Sequence, residues 1–125
     1  MNTSELCWGR RLKGEALLAL ERPSEALSTL ESCLEDCGTG DPWTRAHLGR
    51  ARVQTGDLSG LRILAQALVE LPGAHHLRRI LAGHLLDAWN WEEALLHLEL
   101  LVEAGVANMD ETLEYQVLRN RVAVP

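Results

Sequence analysis

Apolar positions recur along this chain at helical spacing, and the recurrence itself repeats about every 34 residues. A small residue marks each period: Gly14, Gly49 and Ala82, which stand 35 and 33 positions apart. Three residues on come Leu17, Arg52 and Leu85, and then a turn. A second apolar stripe follows each turn, with Ala26, Leu61 and Ala94 near its start. Leu30, Ala65 and Leu98 continue it, followed by Cys33, Leu68 and Leu101. Two helical stripes per period are the pattern of a helical hairpin array, an architecture that builds binding surfaces more often than catalytic sites.

The pattern predicts seven helices. The first covers about 3–20, and Pro23 opens a second over 23–37, closed by Gly38-Thr39-Gly40. Proline is tolerated there because the first helical turn has no use for its missing amide proton. Asp41-Pro42 reads as a cap and first position of a third helix, which stops at Thr55-Gly56-Asp57. A fourth, over 58–71, ends at Pro72-Gly73, and a fifth covers 74–88. Asn90 and Glu93 form a capping-box pattern for a sixth helix to 104, closed by Gly105. Asn108 and Glu111 repeat that pattern for a seventh, in which Leu113, Val117 and Leu118 are expected to pack near Leu95 and Leu98. The expectation is one all-α domain over 1–125: units at 4–38, 41–72 and 73–105, then a capping helix at 109–122.

Composition agrees. About a fifth of the 125 residues are leucine, Phe is absent, and this mix follows helix rather than strand propensity. The length suffices to bury a core without metal or disulfide help. No apolar run reaches the roughly 20 residues of a membrane span. The start, Met1-Asn2-Thr3-Ser4-Glu5, lacks the basic flank and apolar core of a signal peptide, so a cytoplasmic protein is expected. Of the three cysteines, Cys33 and Cys37 are four apart on one predicted helix, which suits neighbouring thiols better than a disulfide.

The chain resembles the tetratricopeptide repeat family. Leu48-Gly49 and Gly56-Asp57 in the second unit carry the resemblance, together with Ala26 and Ala94 in the second helices of units one and three. It covers roughly residues 6–105. The tyrosine usual after the small residue is replaced by Leu17, Arg52 and Leu85, and Pro72 alone stands for the terminal proline. The resemblance implies an α-hairpin solenoid of three helix pairs with a C-terminal capping helix. It further implies a concave face built from the first helix of each pair. Carried over by position, that face holds Trp8, Arg11, Glu15 and Leu18, then Trp43, Ala46, Arg50 and Val53, then His76, Arg79, Gly83 and Leu86.

Charge separates along the same division. The odd-numbered helices and their flanks carry ten basic against seven acidic residues; the even-numbered helices and turns carry two against eleven. A protein of net charge −6 therefore offers a basic, tryptophan-bearing first-helix face. Arginine meets carboxylates bidentately, and Trp and Arg dominate binding hot spots. The plainer account is that the acidic second helices keep the back soluble while arginines form pairs such as Arg11–Glu15. Arg10, Arg45 and Arg78 share one repeat position and are expected to bridge adjacent hairpins. A nucleic-acid partner is disfavoured by the negative net charge and the single lysine.

No chemistry of catalysis or metal binding emerges. His75 and His76 diverge by about 100° on a helix, and Cys33, Cys37 and His47 lack a fourth ligand at zinc spacing. The histidines read as surface residues. Glu92 and Glu93 read as capping residues, and Trp89 and Trp91 as packing residues in place of Gly56 and Leu58. The expected function is non-enzymatic, without cofactor or metal: capture of a helical or extended protein segment bearing acidic and apolar side chains. By the resemblance, small acidic members of the family include cytosolic chaperones of bacterial type III secretion. The alternatives are a scaffold in a regulatory or envelope complex, or a self-assembling module (a homodimer, for instance) joined through its terminal helices.

Overall fold

A short turn of one geometry closes each helix pair. The computed structural model describes residues 3–38 and 41–123, with side chains over 6–38 and 41–121; Thr39 and Gly40 of the expected turn lie outside the described residues. The elements are α1 (Thr3–Ala19), α2 (Pro23–Cys37), α3 (Pro42–Gln54), α4 (Gly60–Val69), α5 (His75–Asp87), α6 (Trp91–Glu103) and α7 (Met109–Ala123). All are helical, with no strand among the described residues. Two compact units result, Met1–Leu71 with α1 to α4 and Pro72–Pro125 with α5 to α7.

Each turn inside a helix pair closes through the same two hydrogen bonds. The amides of Glu21 and Arg22 donate to Leu18 (3.1 Å) and Leu17 (2.9 Å); those of Gly56 and Asp57 donate to Val53 (3.0 Å) and Arg52 (2.8 Å). Trp89 and Asn90 donate to Leu86 (3.1 Å) and Leu85 (2.9 Å) in the same way. This closure needs a left-handed residue, and φ is 58° at Glu21, 97° at Gly56 and 62° at Trp89. Only the middle position holds the residue type that adopts this conformation without a Cβ penalty. Glu21→Gly is therefore expected to stabilise the fold by about 0.5–1 kcal/mol, relief of the penalty exceeding the entropy glycine adds to the unfolded chain. Urea melts of the two forms read this directly.

In the first unit α1 pairs with α2, α3 with α4, and α2 also packs on α3. Leu17, Leu18, Ala26, Leu30, Leu48 and Ala51 form one buried cluster. Each leucine so buried contributes about 1.5–3 kcal/mol of transfer free energy. Small residues let the helices meet. A Cβ on Gly14 would stand 2.6 Å from Leu30 Cγ; one on Gly49 would stand 2.7 Å from the Gly60 carbonyl oxygen and 2.8 Å from the Leu64 nitrogen. Gly60 in turn faces Gly49, Arg52 and Val53 as closely.

The register of α4 differs from the expected one. Gly60, Leu64, Ala67 and Leu68 are buried, whereas Leu61 and Ala65 are half-buried. The equivalent core positions are thus Leu30, Leu64 and Leu98, each 34 apart. The cause is a tight turn before α4, where the Gly60 amide donates to Asp57 (3.1 Å) and Asp57 Oδ1 accepts from the Ser59 amide (3.0 Å). One residue fewer therefore separates Gly49 from its leucine partner than separates Gly14 or Ala82.

Helix starts follow side-chain chemistry. Asp41 caps α3, accepting from the Trp43 amide (3.0 Å) and the Thr44 hydroxyl (2.9 Å). At α7 the expected capping box forms in full: Glu111 accepts from the Asn108 amide and Asn108 Oδ1 from the Glu111 amide, both at 2.8 Å. At α6 the Asn90 side chain makes no capping hydrogen bond. Its backbone is drawn into the left-handed turn instead.

Cysteine pairing also departs from expectation. Cys7 and Cys37, with Cα atoms 6.0 Å apart, form a disulfide, and Cys33 is the buried free thiol. Antiparallel folding of α1 on α2 brings the start of one helix to the end of the other. Spacing along α2 alone does not reveal this. Burial raises the Cys33 thiol above its ordinary value, and its sulfur donates to the Cys7 carbonyl at 3.4 Å.

In the second unit α5 pairs with α6 and α6 with α7. Leu77, Leu81, Leu85, Leu98 and Leu101 are fully buried. Leu118 of α7 is buried as expected, but Leu113 and Val117 are each 53% exposed. On α7 they sit nearly opposite Glu111 and Leu118, which face the rest of the unit.

Candidate partner-binding face

The first helices carry the candidate residues, and their arginines divide into two repeating sets. In one set, Arg10 pairs with Asp36 and Arg45 with Glu70, while Arg78 Nη1 donates to His97 Nδ1 at 2.9 Å. Each of these joins the two helices of one hairpin rather than adjacent hairpins. The acids that make the second helices so negative are thus partly spent on their own first helices. Arg78 is 8% exposed, and burial lowers its basicity.

His97 therefore has a distinct pH signature. Burial and the Arg78 charge lower its proton affinity from the ordinary histidine value, with Glu93 opposing. A folded pKa below the unfolded one makes the unfolded chain the better proton acceptor, so stability falls as pH drops through about 6.5. His97→Gln keeps an acceptor for Arg78 and cannot ionise. Its melting temperature is expected to lose less than the parent's between pH 7.5 and 5.5, a difference calorimetry can resolve.

The other set holds the arginines of the candidate face. In the first unit Arg11 Nη1 lies 3.3 Å from Asp41 Oδ2. Arg50 Nη1 lies 3.1 Å from His47 Nδ1, and His47 Nε2 lies 2.6 Å from Glu15 Oε1. A guanidinium only donates, so His47 Nδ1 is the acceptor in the contact with Arg50. Burial lowers the basicity of Arg50, with the Glu15 charge acting against it. The Nε atoms of Arg11 and Arg50 are buried without a hydrogen-bond partner. His47 is 1% exposed, a core residue rather than the surface residue its type suggests.

Exposure sorts the remaining candidates. Trp8 is 59% exposed and Trp43 half-buried. Leu18 is 4% exposed and belongs to the buried cluster with Leu30 of α2 and Leu48 and Ala51 of α3, so it supports the core. Val53 is half-buried and its Cγ2 lies against Gly60, which directs it to its own hairpin. The structure thus brings Glu15 and Arg50 together through His47 and leaves Trp8 outermost.

In the second unit the expected face arginine, Arg79, already has an acidic partner within the fold. Arg79 Nε lies 2.5 Å from Glu111 Oε2, and its Nη2 donates to the Val106 carbonyl at 2.7 Å. Burial pushes the Glu111 carboxyl up, but Arg79 and the Asn108 amide more than offset it and hold it below the ordinary value. Arg79, Gly83 and Leu86 line a cleft of about 390 Å³ together with the capping residue Asn108 and with Glu111 and Glu114 of α7. Glu114 is pushed up by burial and by the neighbouring charges of Asp110 and Glu111. The capping helix has supplied the carboxylate that Arg79 was expected to find in a partner. His76 is exposed on the same helix.

Trp89 and Trp91 pack on each other, with ring centroids 5.7 Å apart and planes inclined by 21°. They remain 77% and 37% exposed, so they add little to the core. No group of three or more metal-binding side chains assembles among the described residues, and no helix is long and apolar enough to cross a membrane. Comparison with known protein families and with curated proteins finds no match for this chain.

Proposed function

We propose that the chain is a non-enzymatic, tetratricopeptide-like module that binds a protein segment on the first-helix face of its first unit. The reading rests most on one observation: a single hairpin device occurs three times. A small residue at Gly14, Gly49 or Ala82, a bridging arginine at Arg10, Arg45 or Arg78, and a left-handed closure at Glu21, Gly56 or Trp89 recur in step. Repetition of that kind serves an extended interaction surface better than a single reaction centre.

On the face itself, Trp8 offers a large exposed aromatic anchor. Arg11 carries only a 3.3 Å partner, Asp41, whose side chain is 43% exposed. A carboxylate of the bound segment can join or displace Asp41 there at small cost, because a half-exposed pair is worth about 1 kcal/mol or less. Arg50 contributes charge from a half-buried position. The ligand is a helical or extended segment with acidic and apolar side chains. Arg79, held by Glu111, serves the fold in this account, and Leu86 and His76 are peripheral. An export-chaperone role is the more specific form of this proposal. Photo-cross-linking from position 8 in the source cell, with mass spectrometry, tests the proposal. One protein recovered repeatedly from position 8, and not from Val69 on α4, is the expected result. Equal recovery from both sites, or none from position 8, contradicts it.

A further inference from the structure

The outer face of α7 is apolar along its centre and charged in opposite senses at its two ends. Met109, Leu113 and Val117 are 80%, 53% and 53% exposed. At about 100° per residue they fan over roughly 80° of the helix, turned about 150° from the buried Glu111 and Leu118. Along one flank of this stripe run Asp110 and Glu114 near the helix start and Arg121 near its end. Arg119, on the other flank, lies over the Tyr115 ring at 6.0 Å. Asp110 and Arg121 make no ion pair among the described residues, whereas Glu111 is taken by Arg79.

This pattern is complementary to itself when reversed. In an antiparallel pair of α7 helices related by a two-fold axis, like flanks meet like flanks, as in antiparallel coiled coils. The register that seats Leu113 against Val117 of the partner subunit also sets Asp110 opposite Arg121 of the partner subunit. The two-fold then generates both contacts twice. A parallel pairing would instead set this flank against the other flank of the partner subunit, away from Arg121. The acidic crowding at Asp110, Glu111 and Glu114 would be relieved by the incoming cation.

We infer that α7 is a self-docking surface through which two copies of this chain associate as an antiparallel, two-fold dimer. The stripe is short, so the interface falls at the small end of specific contacts, below about 1,200 Å². Association is correspondingly weak and concentration-dependent. This goes beyond the proposed partner-binding face, which lies on the other unit.

Sedimentation equilibrium across a wide concentration range provides the test. The parent chain is expected to move from monomer towards dimer as concentration rises. Leu113→Asp should raise the dissociation constant at least about tenfold, since it buries a charge without a partner. Asp110→Arg and Arg121→Asp should each weaken self-association alone, because each sets like charges across the two-fold. Mixed in equal amounts, the two variants should form a heterodimer, every charge pair being opposite again. Circular dichroism of each variant confirms that it is folded. A parent that stays monomeric throughout overturns the inference. So does a dimer indifferent to Leu113→Asp, or a mixture of folded variants that fails to associate.

Discussion

Leucine at position 49 is expected to destabilise the first unit by about 3 kcal/mol, the upper end of the usual cost of overpacking. The obstacle is backbone rather than side chain. Even the first carbon of a side chain there would stand 2.7 Å from the Gly60 carbonyl oxygen and 2.8 Å from the Leu64 nitrogen. Neither atom can turn aside, so α3 and α4 must separate and lose contacts along their length. Gly14 provides the control, because the atoms nearest its Cβ would be those of the Leu30 side chain, at 2.6 Å, which has rotamers to use. Gly14→Ala should therefore cost distinctly less than Gly49→Ala, and Ala82 shows that a methyl is accepted at the third equivalent position. Chemical denaturation of the three variants orders these effects. Equal losses for the two alanine variants would mean that the close approach of α3 and α4 is not what matters.

Reduction of the Cys7–Cys37 disulfide is expected to cost about 3–4 kcal/mol on the chain-entropy account, from release of its 30-residue loop in the unfolded state. The bond fastens the start of α1 to the end of α2, beside the Arg10–Asp36 pair. Cys37→Ser should match the effect of a reducing agent and abolish any further response to it. Cys33→Ala should leave that response intact, since Cys33 is not in the bond. An unfolding transition insensitive to reductant would show that the two sulfurs are not joined in solution.

Much of the fold was legible because it is local. Proline at Pro23 and Pro42, the caps at Asp41 and Asn108, and the glycines at Gly38, Gly56 and Gly105 act within a few residues of where they stand. The helix boundaries they imply lie within about two residues of those observed, the ordinary scatter of helix ends. The register of α4 was not legible, because a turn between Asp57 and Gly60 removes a residue without altering the helical pattern around it. Nor does spacing along one helix reveal the Cys7–Cys37 bond, which depends on how two helices lie together. The candidate face shows the same division. Charge separation between first and second helices stands plainly in the sequence, but the partners do not. Asp36 and Glu70 meet Arg10 and Arg45 across their hairpins, and Glu111 meets Arg79 from 32 positions away. Leu18 reads as a face residue on α1 and becomes core only because α2 and α3 enclose that end of the helix.

The central claim is that the first-helix face of the first unit receives a partner, and paired variants on the two sides of that unit test it most directly. Trp8→Ala with Arg11→Gln removes the exposed anchor and the weakly held charge from α1; Glu31→Lys with Glu35→Lys reverses two acids on α2. With a partner identified by cross-linking and both variants folded by circular dichroism, affinity is measured by calorimetry. The account predicts that the α1 variant loses binding by at least about tenfold, as expected of a hot-spot tryptophan, while the α2 variant binds as the parent does. Retained binding in the α1 variant, with loss in the α2 variant, would place the working surface on the opposite side and contradict it.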